Sequence, residues 1–215
     1  MTTTRSASRT KSAAKPRRAY MPAAERRKSI LAAAQQVFAQ SNLQGARTRA
    51  IAKAASVNQA TIFEHFASKE ELFQEAVVAP LIDAMRGMHE RMEVYETAGS
   101  PDEIAALALP SASRHLQDMV EIFPLFTAAM FSEPELGRKL YRDHIAPLLR
   151  QRGQVLDGIT RDGLDLDFVG LANFGMLFAI AMDRHFCGGE GDIADLATQF
   201  TRMSTGGFAR KINEP

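Results

Sequence analysis

Residues 30–72 read ILAAAQQVFAQSNLQGARTRAIAKAASVNQATIFEHFASKEEL, and the spacing within this stretch decides the fold. Ile30, Ala34, Val37 and Phe38 recur at the i, i+4, i+7, i+8 positions of one buried helical stripe. Pro22, upstream, suits the first turn of that helix, where its missing N–H costs nothing. Asn42 and Gly45 close it. Thr48 is then expected to cap a short second helix, Arg49 to Ala55, with Ile51, Ala52 and Ala55 on its apolar side. Ser56-Val57-Asn58 breaks that helix, and Asn58 caps a third, Gln59 to Phe66, with Ile62 and Phe66 turned inward. Ser68-Lys69-Glu70-Glu71 forms a capping box that opens a fourth helix. That helix is expected to run to about Tyr95, with a kink at Pro80.

Three short helices within residues 22–66, the second and third joined by a tight turn, make a helix-turn-helix. In such a unit the third helix enters the major groove and its first residues reach base edges, while the first two helices support it. Here the exposed side of the third helix carries Asn58, Gln59, Ala60, Thr61 and Glu64. Gln matches the N6/N7 edge of adenine, and a Thr or Ala methyl meets the thymine methyl. The charge distribution points the same way. Residues 1–72 hold thirteen of the 26 Lys and Arg but only four of the 25 acids, a net of +9 beside −8 in the remainder. One end of the chain is built to meet a polyanion. Residues 1–19 carry six of those cations and no acid, and read as a disordered basic arm.

The same stretch resembles the DNA-binding domain of the TetR family of bacterial repressors. The resemblance rests on Ile30-Leu31-x-x-Ala34 and Phe38, on Thr48, Ile51-Ala52 and Val57, and above all on Thr61-Ile62-Phe63-Glu64-His65-Phe66-x-Ser68-Lys69-Glu70. It implies that Thr48, Phe63, His65 and Lys69 take phosphate-contacting positions. It also implies that Asn58, Gln59, Ala60 and Thr61 face bases or lie next to them. Three positions depart from the family pattern. Ser56 stands where Gly is usual, Ala60 where Gly is frequent, and Phe63 where Tyr is usual, so one phosphate hydrogen bond is lost there.

Beyond residue 72 the pattern stays helical. The expected stretches are roughly 101–121, 123–131, 134–160, 167–187 and 192–210, with a break at Ala98 to Pro101 and a second capping box from Ser100 to Glu103. No sustained two-residue alternation marks a strand, so the fold class is all-α. Three parts are expected: the arm at 1–19, a helix-turn-helix domain at 20–67, and a larger helical regulatory domain at 68–215. No G-x-S-x-G, H-E-x-x-H or Gly-rich phosphate loop is present, so nothing supports an enzyme, and no cofactor is expected. Asp143, His144, Asp183 and His185 are the nearest approach to a metal set. Asp183 and His185 are two apart and do not share a helix face, so no metal site is expected. Cys187, the single cysteine, is read as an inert thiol at a helix end. No run of ~18 uninterrupted apolar residues suggests a membrane span, and a cytoplasmic location is expected.

The regulatory half is rich in Met and Phe. The resemblance implies a small-molecule pocket enclosed by helices four to eight, and a homodimer formed by the last two helices. The expected lining is Met88, Met92, His115, Phe123, Phe126, Met130, Asn173, Leu177 and Phe178. His89, Arg114, His115 or Asn173 would be its polar anchors. Ordinary core packing accounts for each of these residues singly. In the expected dimer, Gly170, Ala172, Gly175 and Ala179 allow close approach. The reading is a DNA-binding transcriptional regulator, a repressor released from a palindromic operator by an apolar or aromatic effector. The alternative is a constitutive DNA-binding regulator with a filled core and no ligand.

Overall fold

The computed structural model describes residues 21–92, 101–157, 160, 163–189 and 191–206. The expected basic arm, the end of helix four near Tyr95, the start of the break at Ala98 to Ser100 and residues 207–210 lie outside them. The order of elements is α1 (Ala23–Gly45), α2 (Thr48–Ala54), α3 (Gln59–His65), α4 (Lys69–Phe73), a π-helical turn (Gln74–Val78) and α5 (Ala79–Glu90). There follow α6 (Pro101–Phe131), α7 (Pro134–Leu140), a second π-helical turn (Tyr141–Ile145), α8 (Ala146–Val155), α9 (Leu166–Cys187) and α10 (Ile193–Gly206). The protein is all-α, with no strand among the described residues.

α1 buries Ile30, Ala33, Ala34 and Phe38, with Val37 half-buried, as the stripe predicts. Phe38 meets Phe73 of α4 edge-on at 4.9 Å between ring centres. Pro22 lies just outside the helix as its cap, at φ −54° and ψ 149°. Asn42 interrupts α1 at φ 51°, and its Oδ1 accepts the Gly45 N–H at 3.0 Å. Ser68 caps α4 by accepting the Glu71 N–H at 3.0 Å, while the Glu71 carboxylate accepts the N–H of Ala67, the residue before the cap, in a variant of the capping box.

Three boundaries differ from expectation. The break placed near residue 122 does not exist: α6 continues for 31 residues through Pro110 and Pro124. A proline inside a helix costs ~3 kcal/mol. The buried stripe Leu116, Met119, Phe123 and Phe126 crosses Pro124 without interruption, and each such side chain returns ~1.5–3 kcal/mol by burial. The helix expected over 134–160 is divided instead, α7 passing through a π-helical turn into α8, which ends at Val155. The helix that begins at α4 closes at Glu90, and the irregularity near Pro80 is a π-helical turn just before it. Both π turns stand two residues ahead of a proline, Pro80 and Pro147. Their closing bonds are i→i−5, from the Ala79 N–H to Gln74 O and from the Ala146 N–H to Tyr141 O. Widening the turn there leaves room for a ring that clashes with a regular i−4 carbonyl.

One apolar core runs from Ile30 in α1 to Phe200 in α10. α6 is its axis, packing against α1, α9 and α10. The end of α1 is also clasped to the α6–α7 link. The Leu43 N–H donates to Ser132 Oγ at 3.0 Å, and the Gln44 amide donates to the Glu133 carboxylate. α8 and α9 cross at two glycines. A Cβ on Gly153 would sit 1.9 Å from Leu166 O, and one on Gly170 would sit 2.0 Å from Leu149 O. Gly170 therefore serves contact within the chain, and does not face outward as expected for it. Gly175 has nothing within 4 Å and does lie open.

Candidate functional site

The turn between α2 and α3 follows from two backbone bonds. The Val57 N–H donates to Ala52 O at 2.9 Å, and the Ser56 N–H to Lys53 O at 3.2 Å. This closure requires a left-handed residue just past the helix cap, and Ser56 holds it at φ 56°. The chain then extends through Asn58, whose Oδ1 accepts the Thr61 N–H at 2.7 Å and the Thr61 hydroxyl at 3.0 Å. Ile62 and Phe66 pin the far side of α3 into the core. Arg27 lies 4.7 Å over the Phe66 ring and pairs with Glu75 at 2.5 Å, so the base of the head is held by a cation on an aromatic face.

Thr48 is the first residue of α2 and not its cap. The cap is Arg47, which makes no side-chain bond there. The Thr48 hydroxyl instead accepts the Gln59 Nε2 at 2.8 Å, which joins the start of α2 to the start of α3. The structure thus pairs Thr48 with Gln59 and Asn58 with Thr61. Ala60 and Phe63 are exposed on α3, and His65 and Lys69 are half-buried at its end and at the start of α4. Arg47, Arg49 and Lys53 surround a shallow depression beside them on α2.

In the body, the expected lining residues fall into three groups. Met92, His115 and Asn173 border a void of about 40 Å³, with Ser111, Arg152 and Phe200. Met88 borders a second void of about 20 Å³, with Met85, His89, Met119 and Phe174. Phe123, Phe126 and Phe178 pack in an aromatic chain with ring centres 5.2–5.3 Å apart, Leu177 is fully buried, and Met130 packs half-buried against the core. Voids of this size hold about one to three waters.

Arg152 went unseen in the sequence. It is 8% exposed, its Nε donates to Asn173 Oδ1 at 2.6 Å, and it borders both voids. Nothing in Arg150-Gln151-Arg152-Gly153 separates a buried arginine from a solvated one; the only local sign is the adjoining glycine that lets α9 come close. His115 is fully inside, with Nδ1 2.7 Å from Ser111 O and Nε2 2.9 Å from Met88 O. Burial pushes its pKa below the ordinary 6.5, and the charge of Arg152 adds to that; the two carbonyls oppose it, and Arg91 lowers it further. Cys187 is exposed, and a hydrogen bond that its S–H donates to the Asp183 carboxylate pushes its thiol pKa up, away from thiolate reactivity. Among the described residues no group of three or more His, Cys, Asp or Glu is placed to hold a metal.

α9 is the one described helix long and apolar enough to cross a membrane by length and composition, at a mean hydropathy of 1.5, yet only 22% of it is buried. Leu177 and Ala181 face the core, while Phe168, Leu171, Met182 and Phe186 are exposed along the outer side.

Comparison with known proteins agrees with this architecture. Residues 30–76 match the family model described as bacterial regulatory proteins, tetR family. The HTH-type transcriptional repressor KstR2 of Mycolicibacterium smegmatis is 29% identical over 154 residues, 68% of this chain and 73% of that protein. FadR of Bacillus subtilis, solved in complex with stearoyl-CoA, superposes at a TM-score of 0.63 with 19% identity, covering 85% of this chain and 99% of that one. The fatty acid degradation regulator FadR of Bacillus halodurans superposes at 0.66 with 18% identity, covering 86% and 97%. At these identities the structural likenesses speak for the fold, and the helix-turn-helix residues speak for the lineage. Over residues 30–76 the chain is thus similar to the tetR family of bacterial regulatory proteins.

Proposed function

We propose that the protein is a homodimeric transcriptional repressor of the cytoplasm that binds a palindromic operator and leaves it when a small apolar molecule enters the body. The carrying observation is the head. Its third helix is anchored by Ile62 and Phe66, its first residues are exposed, and the depression on α2 is ringed by cations. Gln59, Ala60 and Thr61 present an amide and methyl groups to base edges. Asn58 fixes the angle of α3 through the Thr61 N–H. Thr48 already accepts a bond from Gln59, so its own O–H is the group left to donate to a phosphate. Phe63 and His65 follow along α3 and Lys69 opens α4, with Lys69 as the phosphate cation.

The outer side of α9 supports dimerisation together with α10, because exposed Phe168, Leu171, Met182 and Phe186 form an apolar stripe that water disfavours. A dimer sets two recognition helices about one DNA turn apart, ~34 Å, and a ligand that favours a wider setting releases the DNA. The stearoyl-CoA complex of FadR supports an acyl-type effector.

One observation favours a second reading. The two voids that the expected lining residues border hold only a few waters, which suits a constitutive regulator with a filled core. Selection of bound duplexes from a random pool tests the main reading. Enrichment of a palindrome is the expected result, and equal recovery of all sequences at low salt would overturn it. A thermal-shift screen then separates the two readings, since a ligand that binds only the folded state raises its melting temperature.

A further inference from the structure

The third helix of the head is short, and few contacts set its angle. α3 has seven residues, of which only Ile62 is buried, and Phe66 holds the point where the chain leaves the helix. The start of α3 is tied down by the Asn58 cap and by the bond from Gln59 to Thr48. Its end depends on the Phe66 ring, which is 1% exposed. At this length α3 measures about 10 Å, so a tilt of about 5° about Phe66 carries the Gln59 end about 1 Å, more than a precise polar contact tolerates.

Arg27 of α1 closes that end. Its guanidinium carbon lies 4.7 Å from the centre of the Phe66 ring, and its Nη2 donates to both carboxylate oxygens of Glu75, at 2.6 and 2.5 Å. Phe66 caps the end of α3, while Glu75 lies in the π-helical turn that leads into the body. One planar group therefore joins α1, the exit of α3 and the first turn of the body. A guanidinium can lie flat over a ring while an edge N–H meets a carboxylate, whereas an ammonium is a point charge without that fork. The same geometry matches the charge of Arg27 within its own chain.

Resting on the DNA-binding reading above, we propose that Arg27 is a positioning residue for sequence readout. It holds the Phe66 end of α3 against Glu75, and so fixes where Gln59, Ala60 and Thr61 meet base edges, without touching DNA itself. Affinity for random sequence comes from phosphate contacts, which tolerate a tilted helix better than base contacts do. Removing Arg27 therefore weakens binding to the preferred sequence, spares binding to random sequence, and leaves the salt dependence as it was. A lysine at the position fails in the same way, because a charge alone does not reproduce the stack over Phe66.

The test compares the full-length wild type, R27M and R27K on two duplexes, one recovered from a random pool by the wild type and one with its sequence scrambled. Affinities are measured over a salt series, well below each melting midpoint. R27M and R27K should each lose about fivefold or more on the recovered duplex and stay within about twofold of the wild type on the scrambled one. The slope of log affinity against log salt should not change in either, whereas loss of one phosphate contact shallows it by about 0.9. A slope shallowed by that amount in R27M and restored in R27K makes Arg27 a phosphate contact and overturns the proposal. An equal loss on both duplexes overturns it too, as does wild-type affinity in R27K. Should R27M not fold, R27K alone decides. If the wild type does not distinguish the duplexes, the DNA-binding reading falls and the positioning role with it. If the wild type distinguishes them and the variants do so equally well, only the positioning role falls.

Discussion

Ser56 carries a side chain in a conformation that suits glycine. At φ 56° its Cβ crowds the following carbonyl, at a cost of ~1–2 kcal/mol. Ser56→Gly should therefore raise stability by about 1 kcal/mol, read as a higher urea midpoint at unchanged slope, with DNA affinity unchanged. A lower midpoint would show that the Ser56 side chain contributes something the backbone does not explain. His115 gives the pH dependence. Its pKa in the folded chain lies below 6.5, so above 6.5 the site is neutral whether folded or unfolded and its full stability is present. As pH falls below 6.5 the unfolded chain takes up a proton that the folded chain resists, and stability drops until the folded value is reached. The wild type should lose more melting temperature than His115→Gln on acidification through this window, and equal losses would sink the assignment. These two residues also mark what could be read from the sequence. The Asn58 cap was legible because a cap is local, and the resemblance marked the position of Ser56. The burial of Arg152 was not legible, because it depends on α9, whose Asn173 stands 21 residues later.

Helix by helix, the glycines of the body divide by what they touch. Gly153 and Gly170 let α8 and α9 meet backbone to backbone. Gly153→Ala places a carbon where Leu166 O already is, and should cost ~1–3 kcal/mol by urea denaturation. Gly175 meets nothing in its own chain, so Gly175→Ala should leave the subunit fold intact or improve it by up to ~1 kcal/mol of helix propensity. Gly175→Glu is the dimer probe: it sets a charge on the apolar outer side of α9, and light scattering should then report monomer. The more obvious substitution, a charge at Leu177, would unfold the subunit instead, because Leu177 is fully buried within its own chain. Periodicity located all these helices and identified the first three closely. It failed at Pro124, where burial across the ring outweighed the proline rule. It missed the divisions after Leu140 and Phe73 because a π turn preserves the apolar run while adding one residue to it.

At the scale of the whole molecule, the distribution of charge governs association with DNA. A head with a net of +9 that displaces counterions should bind with log affinity falling linearly in log salt, and Lys69→Ala should shallow that slope for every sequence alike. Gln59→Ala should change which sequence is preferred instead. The expected three-part division of the chain rests on charge and capping residues. How the head and body adhere could not be read from the sequence, because Leu43 and Ser132 stand 89 residues apart. That adhesion has a thermodynamic consequence. A core shared from Ile30 to Phe200 gives the head no melting transition of its own, so calorimetry should show one peak whose van 't Hoff and calorimetric enthalpies agree once dissociation of the proposed dimer is included. A fragment ending at Ala67 should remain a fluctuating coil, its α1 deprived of α6. Any event that loosens the far end of α6 is then also a change in the free energy of the surface that meets DNA, without a dedicated route between them.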